Sequence, residues 1–493
     1  MRNSDVINPI PGIPAHHRPP LSLFVYGTGD FGQLGLGVEP LKPVLLPSPH
    51  TWCTEAIEEG TLEGGVERLA VGCMHSLLID EAGRVWSWGT NNEAALGRVT
   101  VGQPDSTTGE IINSDVLEST PGLITELANA NYRAVFVAAG DSIGLAISDK
   151  GELRIWGSFL FSQGQVAFDS KAGSPVLQFS PIVPHALKDI QFVQAACGAS
   201  HIIALTTDGH VYTWGDPCQS AIGRRVLNRH ILDALNPERL ALRDIILVAS
   251  GNRHSFAMDV DGVVYAWGSN SMGQLGVVSP RQGATEDEVA AGDVVFDSEI
   301  STPRIVEALL PDNLGNGRRV IMIAGGEHHS LFLLSDGSVY ACGICGSGQL
   351  GLAGDHPSME NLAIRNAARP DNPIGHWPIP SQVFFPPPPT EDTPDPALGH
   401  YIPPTPEAEP ETRIIHISTA SRHNLAISST GVVYGWGYGD AHQLGMGELD
   451  EQRVPARVMR NVMADWIFEE GHAGGTHCLL VGRRRESAPG ATS

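Results

Sequence analysis

One unit returns along this chain and decides what it can fold into. A small turn and a histidine open it, an apolar strand follows, and the strand turns on x-Gly. A second strand then ends in an aromatic residue followed by Gly. Gly72-Cys73-Met74-His75 leads to Ala82-Gly83 and then Val85 to Gly89. Gly198-Ala199-Ser200-His201 leads to Asp208-Gly209 and then Val211 to Gly215. The order repeats from Gly251 with His254 and from Gly326 with His329, and weaker copies start at Gly140-Asp141 and Ser421-Arg422-His423. Self-similarity of this kind marks a repeat architecture. The closing glycines Gly27, Gly89, Gly157, Gly215, Gly268, Gly343 and Gly437 stand 53 to 94 residues apart, so the units carry insertions.

The x-Gly step predicts a two-residue type I′ hairpin, in which both central residues need positive φ. The strands alternate: Val211, Thr213 and Gly215 share one side, Tyr212 and Trp214 the other. A second loop type follows the closing glycines, as in Gly29-Asp30-Phe31-Gly32-Gln33-Leu34-Gly35 and His442-Gln443-Leu444-Gly445.

The chain ends are complementary. Gly474-Gly475-Thr476-His477 and Cys478 to Val481 supply a first half; Leu23 to Gly27 supply a second half. Seven first halves and seven second halves result, offset by one. The expected fold is all-β, a seven-bladed β-propeller over residues 21–482 closed by pairing of the N- and C-terminal segments, which leaves no exposed sheet edge. An open stack would need capping repeats. Residues 1–20 and 483–493 are expected to be tails, the first of them flexible. Inserted loops are expected at about 99–121 and 281–301. A Pro-rich acidic loop at about 353–412, with Pro386-Pro387-Pro388-Pro389, favours polyproline II or disorder.

Composition narrows the function. With 42% hydrophobic and 17% charged residues the chain is globular in type. Its net charge of −24 argues against a broad nucleic-acid surface and for a basic protein partner. No apolar run is long enough to span a membrane, and the N-terminus lacks an apolar signal core, so an intracellular protein is expected. Seven dispersed cysteines read as reduced thiols. Cys342-x-x-Cys345 has no second pair at zinc spacing, so no metal is expected. Gly27-x-Gly29-x-x-Gly32 spells a dinucleotide fingerprint, but no amphipathic helix or acidic ribose reader follows, so no cofactor is expected. No nucleophile–base set stands apart from the repeat histidines, so no covalent chemistry is expected.

The G-x-x-H starts, the D-G-x-V-Y-x-W-G hairpins and the G-Q-L-G loops resemble those of the regulator of chromosome condensation family, from about Leu23 to Val481. Three features are most similar to its founding type, the fungal and animal nuclear exchange factor for the GTPase Ran: the loop Gly27 to Gly37, the stretch Asn91 to Arg98, and the irregular segment after Trp156-Gly157-Ser158-Phe159. The resemblance implies guanine-nucleotide exchange on a Ran-type GTPase, in nuclear transport and spindle organisation. It also implies a nuclear location, chromatin contact through histones or nucleosomes with weak direct DNA contact, and an import receptor as partner. Arg483-Arg484-Arg485 is the one basic cluster at an end; import, DNA contact and a solvated tail all stay open for it. The alternative is a non-catalytic propeller scaffold.

The resemblance implies site residues as well. A β-wedge is expected over Leu160 to Phe168, with Ser162, Gln163, Gly164, Gln165 and Val166 acting in exchange together with Asp141. Asp30, Glu93, Ser200, Arg224, His328 and His329 are the implied GTPase contacts. For Asp141 and Asp30 the alternative role is capping a turn; for His328 and His329 it is holding one. Ser200 departs from the family, which usually carries Asp there, and this favours the scaffold.

Overall fold

A computed structural model of the chain describes residues 6–13, 19–38, 42–62, 64–105, 107–171, 176–278, 296–367, 370–371, 373–387, 412–458 and 461–485. Seven four-stranded antiparallel sheets form the blades of a propeller. Blades 2 to 7 start with the strands Val66–Val71, Ala134–Ala139, Phe192–Cys197, Ile245–Ser250, Val320–Gly325 and Ile414–Thr419. Blade 1 is built from both chain ends: Trp466–Ala473 and His477–Arg484 are followed in the sheet by Ser22–Gly27 and Val44–Pro49. Ser22–Gly27 runs antiparallel to the last strand, from Ser22 opposite Gly482 to Gly27 opposite His477. The first strands of successive blades touch one another around the ring and form its inner wall.

The second strands, such as His75–Asp80 and His201–Thr206, are buried along their whole length. Side chains alternate between two faces, but a neighbouring blade covers each face, so alternation does not become a buried-exposed pattern. Trp88, Trp156, Trp214, Trp267 and Trp436 fill these seams and are fully buried. Truncating one to Ala would cost roughly 3–5 kcal/mol.

The hairpin turns differ from the sequence expectation. The Gly83 N–H donates to the Asp80 carbonyl (2.8 Å) and the Asp80 N–H to the Arg84 carbonyl (3.1 Å), which makes a three-residue loop. Blades 3 to 7 repeat this pattern at Ser148, Thr206, Asp259, Leu334 and Ser428. Only the glycine is left-handed, for example Gly83 at φ +79° and Gly209 at +76°. A type I turn followed by one left-handed glycine needs a single residue of positive φ, so Ala82 and Lys150 can stand where a type I′ turn would strain them.

Residues 6–13 are not a loose tail. The Ile7 and Asn8 N–H groups both donate to the Thr207 carbonyl (2.9 Å each). Asn8 Nδ2 donates to the carbonyls of Thr206 (3.1 Å) and Ile245 (2.8 Å). This segment therefore joins blades 4 and 5 on the end of the propeller that carries the Gly83-type hairpins. The C-terminal strand runs to Arg484, where Arg483 pairs with Glu469 at 2.6 Å, so the first two arginines of that basic cluster belong to blade 1.

Inside the insertion at 99–121 lies the helix Ser114–Ser119, capped by Asn113, whose side chain accepts the Asp115 N–H. The expected loop at 281–301 ends in the strand Glu299–Ile305, and its residues 281–295 lie outside the described residues. The Pro-rich insertion is more ordered than its composition implies. It holds the helix Pro357–Ala367 and the fourth strand of blade 6, His376–Val383, and its residues 388–411 lie outside the described residues.

Candidate functional site

Strand direction alternates across each blade. The turns between first and second strands therefore share one end of the propeller with the loops between third and fourth strands. Asp141, Ser200, His328 and His329 lie at those turns; Asp30, Glu93, Arg224 and residues 162–166 lie in those loops. Every expected site residue thus belongs to one end. The residue after each closing glycine ties loop to turn: Thr90 donates to the Met74 carbonyl (3.0 Å), Ser158 to Ser142 (3.0 Å), Asp216 to Ser200 (2.7 Å) and Ile344 to His328 (2.9 Å). The closing glycine must have no side chain there. Gly89 is at φ +105°, and a Cβ on it would overlap the Met74 carbonyl oxygen.

The repeat histidines latch blades together. His201 Nε2 lies 2.9 Å from Ser255 Oγ, His254 Nε2 3.0 Å from Ser330 Oγ, and His329 Nε2 2.7 Å from Asn424 Oδ1. Each partner follows the histidine of the next blade. Burial pushes these imidazoles down, to about 4 for His201 and His329 and about 3 for His254. His329 is fully buried and its side chain bonds to the next blade, so it presents no imidazole to a partner. Its neighbour His328 is half-buried, 3.6 Å from Glu327.

A second set of bonds ties each second-type loop to the following blade. Trp88 Nε1 donates to the Gln33 carbonyl (3.0 Å), Trp156 to Ala95 (2.8 Å), Trp267 to Ala221 (3.0 Å) and Trp436 to Gln349 (3.2 Å). Cys342 occupies the Trp position in blade 6 and its thiol points at the Gln274 carbonyl (3.5 Å). Arg224 is committed within its own loop. Its guanidinium donates to the carbonyls of Ala234 (3.2 Å) and Asn236 (2.9 Å) and pairs with Glu238 at 3.3 Å. Arg98 holds the loop of blade 2 in the same way, through Ser87 and Leu117. Arg224 is therefore a loop brace, and the exposed cation beside it is Arg225.

Blade 3 breaks the pattern. After Gly157 the chain forms a two-stranded hairpin, Phe159–Leu160 paired with Val166–Ala167. Phe159, Phe161 and Phe168 are buried and anchor it, whereas Ser162 to Gln165 stand exposed at its tip. Gly164 is left-handed at φ +82° with open space around it, as a free hairpin tip requires. The Trp214 Nε1 of the next blade, which would tie down an ordinary loop, has no hydrogen-bond partner.

Asp141 is exposed beside this hairpin. Desolvation by its surroundings and the charge of Glu327 raise its carboxyl above the usual range, and Arg253 opposes them. Asp30 is exposed in the loop of blade 1, Glu93 is half-buried in that of blade 2, and Ser200 carries no charge at its turn. Exposed apolar side chains Phe31, Val101, Ile111, Leu160 and Leu227 stud the loops of blades 1 to 4 at the same end. An apolar arc with acidic residues among it fits a protein partner with basic and apolar surface. Sequence reasoning missed Arg253 and Asp216. The second carried a signal: it is the one acid among the seven residues that follow a closing glycine. Among the described residues no group of three or more His, Cys, Asp or Glu side chains could hold a metal ion, and no helix is long and apolar enough to cross a membrane.

A family model described as the RCC1-like domain matches residues 22–480. Protein pim1 of Schizosaccharomyces pombe is 34% identical over 478 residues, which covers 97% of this chain and 76% of that protein. The guanine nucleotide exchange factor SRM1 of Saccharomyces cerevisiae is 30% identical over 465 residues, 90% of this chain and 84% of that protein. The crystal structure of Prp20p from Saccharomyces cerevisiae, described with its binding to Gsp1p and histones, superposes with a TM-score of 0.75 at 27% identity, covering 99% of this chain and 96% of that one. A second structure has Kap60 bound to the same yeast protein, with a TM-score of 0.73 at 27% identity and coverage of 95% and 90%.

Proposed function

The chain belongs to the RCC1-like domain family, and from that membership we propose that it is a guanine-nucleotide exchange factor for a Ran-type small GTPase. The observation that carries this reading is the hairpin of blade 3. One loop in seven is rebuilt to project a narrow tip from the end that also carries Asp141, and an exchange factor needs a rigid projection to insert beside a bound nucleotide.

The mechanism is differential binding. The propeller end binds the GTPase through the apolar arc and its acids. The hairpin tip, Ser162 to Gln165, fits only a GTPase whose nucleotide site has opened. A ligand shifts an equilibrium only by its differential affinity for two states. If the factor prefers the nucleotide-free form by a given ratio, nucleotide affinity falls by the same ratio. No bond to the nucleotide is made or broken by this chain. In this reading the protein is regulatory and nuclear, acts in transport and chromosome organisation, contacts histones, and is carried in by an import receptor of the Kap60 type.

The test is release of a fluorescent GDP analogue from a purified Ran-type GTPase by catalytic amounts of the protein. Acceleration that falls on Asp141→Ala, or on deletion of Ser162 to Val166, supports exchange. The uncharged Ser200 favours the second reading, a non-catalytic scaffold, and a GTPase bound without faster release would establish that one.

A further inference from the structure

We propose that Asp216 is the positioning residue of the blade 3 hairpin: its carboxylate replaces the tie that holds the corresponding loop in the other blades and fixes the hairpin tip for nucleotide release. This inference rests on the exchange reading above.

Six of the seven loops are of the ordinary type. Each offers one carbonyl, that of Gln33, Ala95, Ala221, Gln274, Gln349 or Gln443, to a Trp, Cys, Ser or Asn side chain of the next blade. The hairpin offers none, and Trp214 is left without a partner. Two residues beyond Trp214 stands Asp216. Its counterparts are Thr28, Thr90, Ser158, Ser269, Ile344 and Tyr438, none of them acidic.

The direction of the tie is reversed. Asp216 Oδ2 accepts the Ser162 N–H at 3.0 Å, and Oδ1 accepts the Cys218 N–H at 3.1 Å. Its own N–H is held by the Ser200 carbonyl at 2.7 Å. The residue is buried, at 8% exposure. Ser162 is where the buried Phe161 gives way to the exposed tip, so the bond grips the hairpin at the base of its projecting part. Two residues per strand make a marginal hairpin without outside support. Charge-assisted hydrogen bonds are among the stronger ones available for such support. Burial pushes the Asp216 carboxyl above its usual range, and the N–H donors of Cys218 and Ser162, with the charge of Arg253, oppose that rise.

Both carboxylate oxygens act as acceptors. Asp216→Asn keeps the shape but turns an NH2 group toward one of two N–H donors, so the amide cannot replace the acid. Without the bond at its base the tip loses part of its preference for the open GTPase. GDP release should therefore slow about 10- to 100-fold at saturating GTPase, the range expected for one lost hydrogen bond to a charged group. The GTPase concentration for half-maximal rate should stay within about twofold, because the apolar arc is untouched.

The experiment measures GDP-analogue release for the wild type, Asp216→Asn, Asp216→Ala, the Ser162 to Val166 deletion, and the deletion combined with Asp216→Asn. Melting curves show which variants are folded. The expected result is a slow Asp216→Asn variant with an unchanged half-saturation point, and no further loss when it is added to the deletion. Wild-type rates in both Asp216 variants would overturn the inference while leaving exchange intact. So would an equal further loss in the deletion background, because Asp216 would then act elsewhere than through the hairpin. A wild-type protein that does not accelerate release would overturn the exchange reading itself.

Discussion

His477 Nε2 lies 3.3 Å from Ser76 Oγ, so a residue near the C-terminus is hydrogen-bonded to blade 2 across the seam where the ring closes. His201, His254 and His329 make equivalent bonds at their seams, and His423 reaches the Cys478 thiol at 3.3 Å. The series fails at both seams of blade 3. His75 should meet the residue after the blade 3 opener, but that residue is Gly144, and neither ring nitrogen of His75 has a hydrogen-bond partner. Blade 3 itself has Ile143 in the histidine position, opposite its closing Gly157, and the residue after the blade 4 histidine is Ile202. The blade without a latch on either side is the one that carries the hairpin.

These buried imidazoles make the fold acid-sensitive. His254, His423 and His477 are pushed down to about 3, and His75, His201 and His329 to about 4, mainly by desolvation. In the unfolded chain they take protons near pH 6.5. Between those values the unfolded state binds more protons, so stability is held above pH 6.5 and lost as pH falls toward 4. By pH 5.5 each histidine should have cost on the order of 1 kcal/mol. Urea midpoints at pH 7.5 and 5.5 check this: the wild-type midpoint should drop, and His254→Gln should start lower but drop less.

The two adjacent histidines of blade 6 should separate cleanly. His329→Ala leaves the buried Asn424 Oδ1 without its partner and should destabilise by about 1–3 kcal/mol. His328→Ala, at a half-buried turn residue outside the latch, should stay within about 0.5 kcal/mol and instead weaken GTPase binding. Chemical denaturation and titration of labelled GTPase measure the two effects independently.

Gly144 cannot be repaired to complete the latch. A Cβ there would overlap the Trp156 indole, which is itself fixed by its bond to Ala95. Gly144→Ser should therefore destabilise by about 1–3 kcal/mol through overpacking, although it restores the hydroxyl found at Ser255 and Ser330. A raised melting temperature would contradict this account of the seam.

Asn8 should behave as a staple. Asn8→Ala removes two hydrogen bonds that bridge blades 4 and 5, although the Thr206 carbonyl keeps the Gly209 N–H. A loss of about 1–2 kcal/mol is expected, with faster amide exchange at Ile7, whose N–H donates to the Thr207 carbonyl. Truncation of residues 1–10 should reproduce the loss of stability.

The sequence carried the blades, their number and their closure, because each depends on a feature repeated many times, such as Gly89 or Trp88. What it hid depends on single residues. Asn8 has no periodic pattern around it, so residues 6–13 read as a tail. Arg224 and His329 lie at the right end of the propeller, yet whether a polar side chain faces a partner or its own loop depends on packing that spacing does not encode. The turn type was missed because Asp-Gly fits both a type I′ turn and a type I turn with a left-handed glycine, and the registers of the flanking strands decide between them. Asp216 belongs to no repeated feature, and only the unpartnered Trp214 shows why an acid stands there.

The central claim is differential binding, and the most direct measurement is the affinity of this protein for one Ran-type GTPase in its nucleotide-free and GDP-bound forms. The account predicts much tighter binding of the nucleotide-free form, with a preference that collapses when Ser162 to Val166 are deleted. Equal affinity for the two forms would contradict it, because a protein that binds both states equally shifts neither.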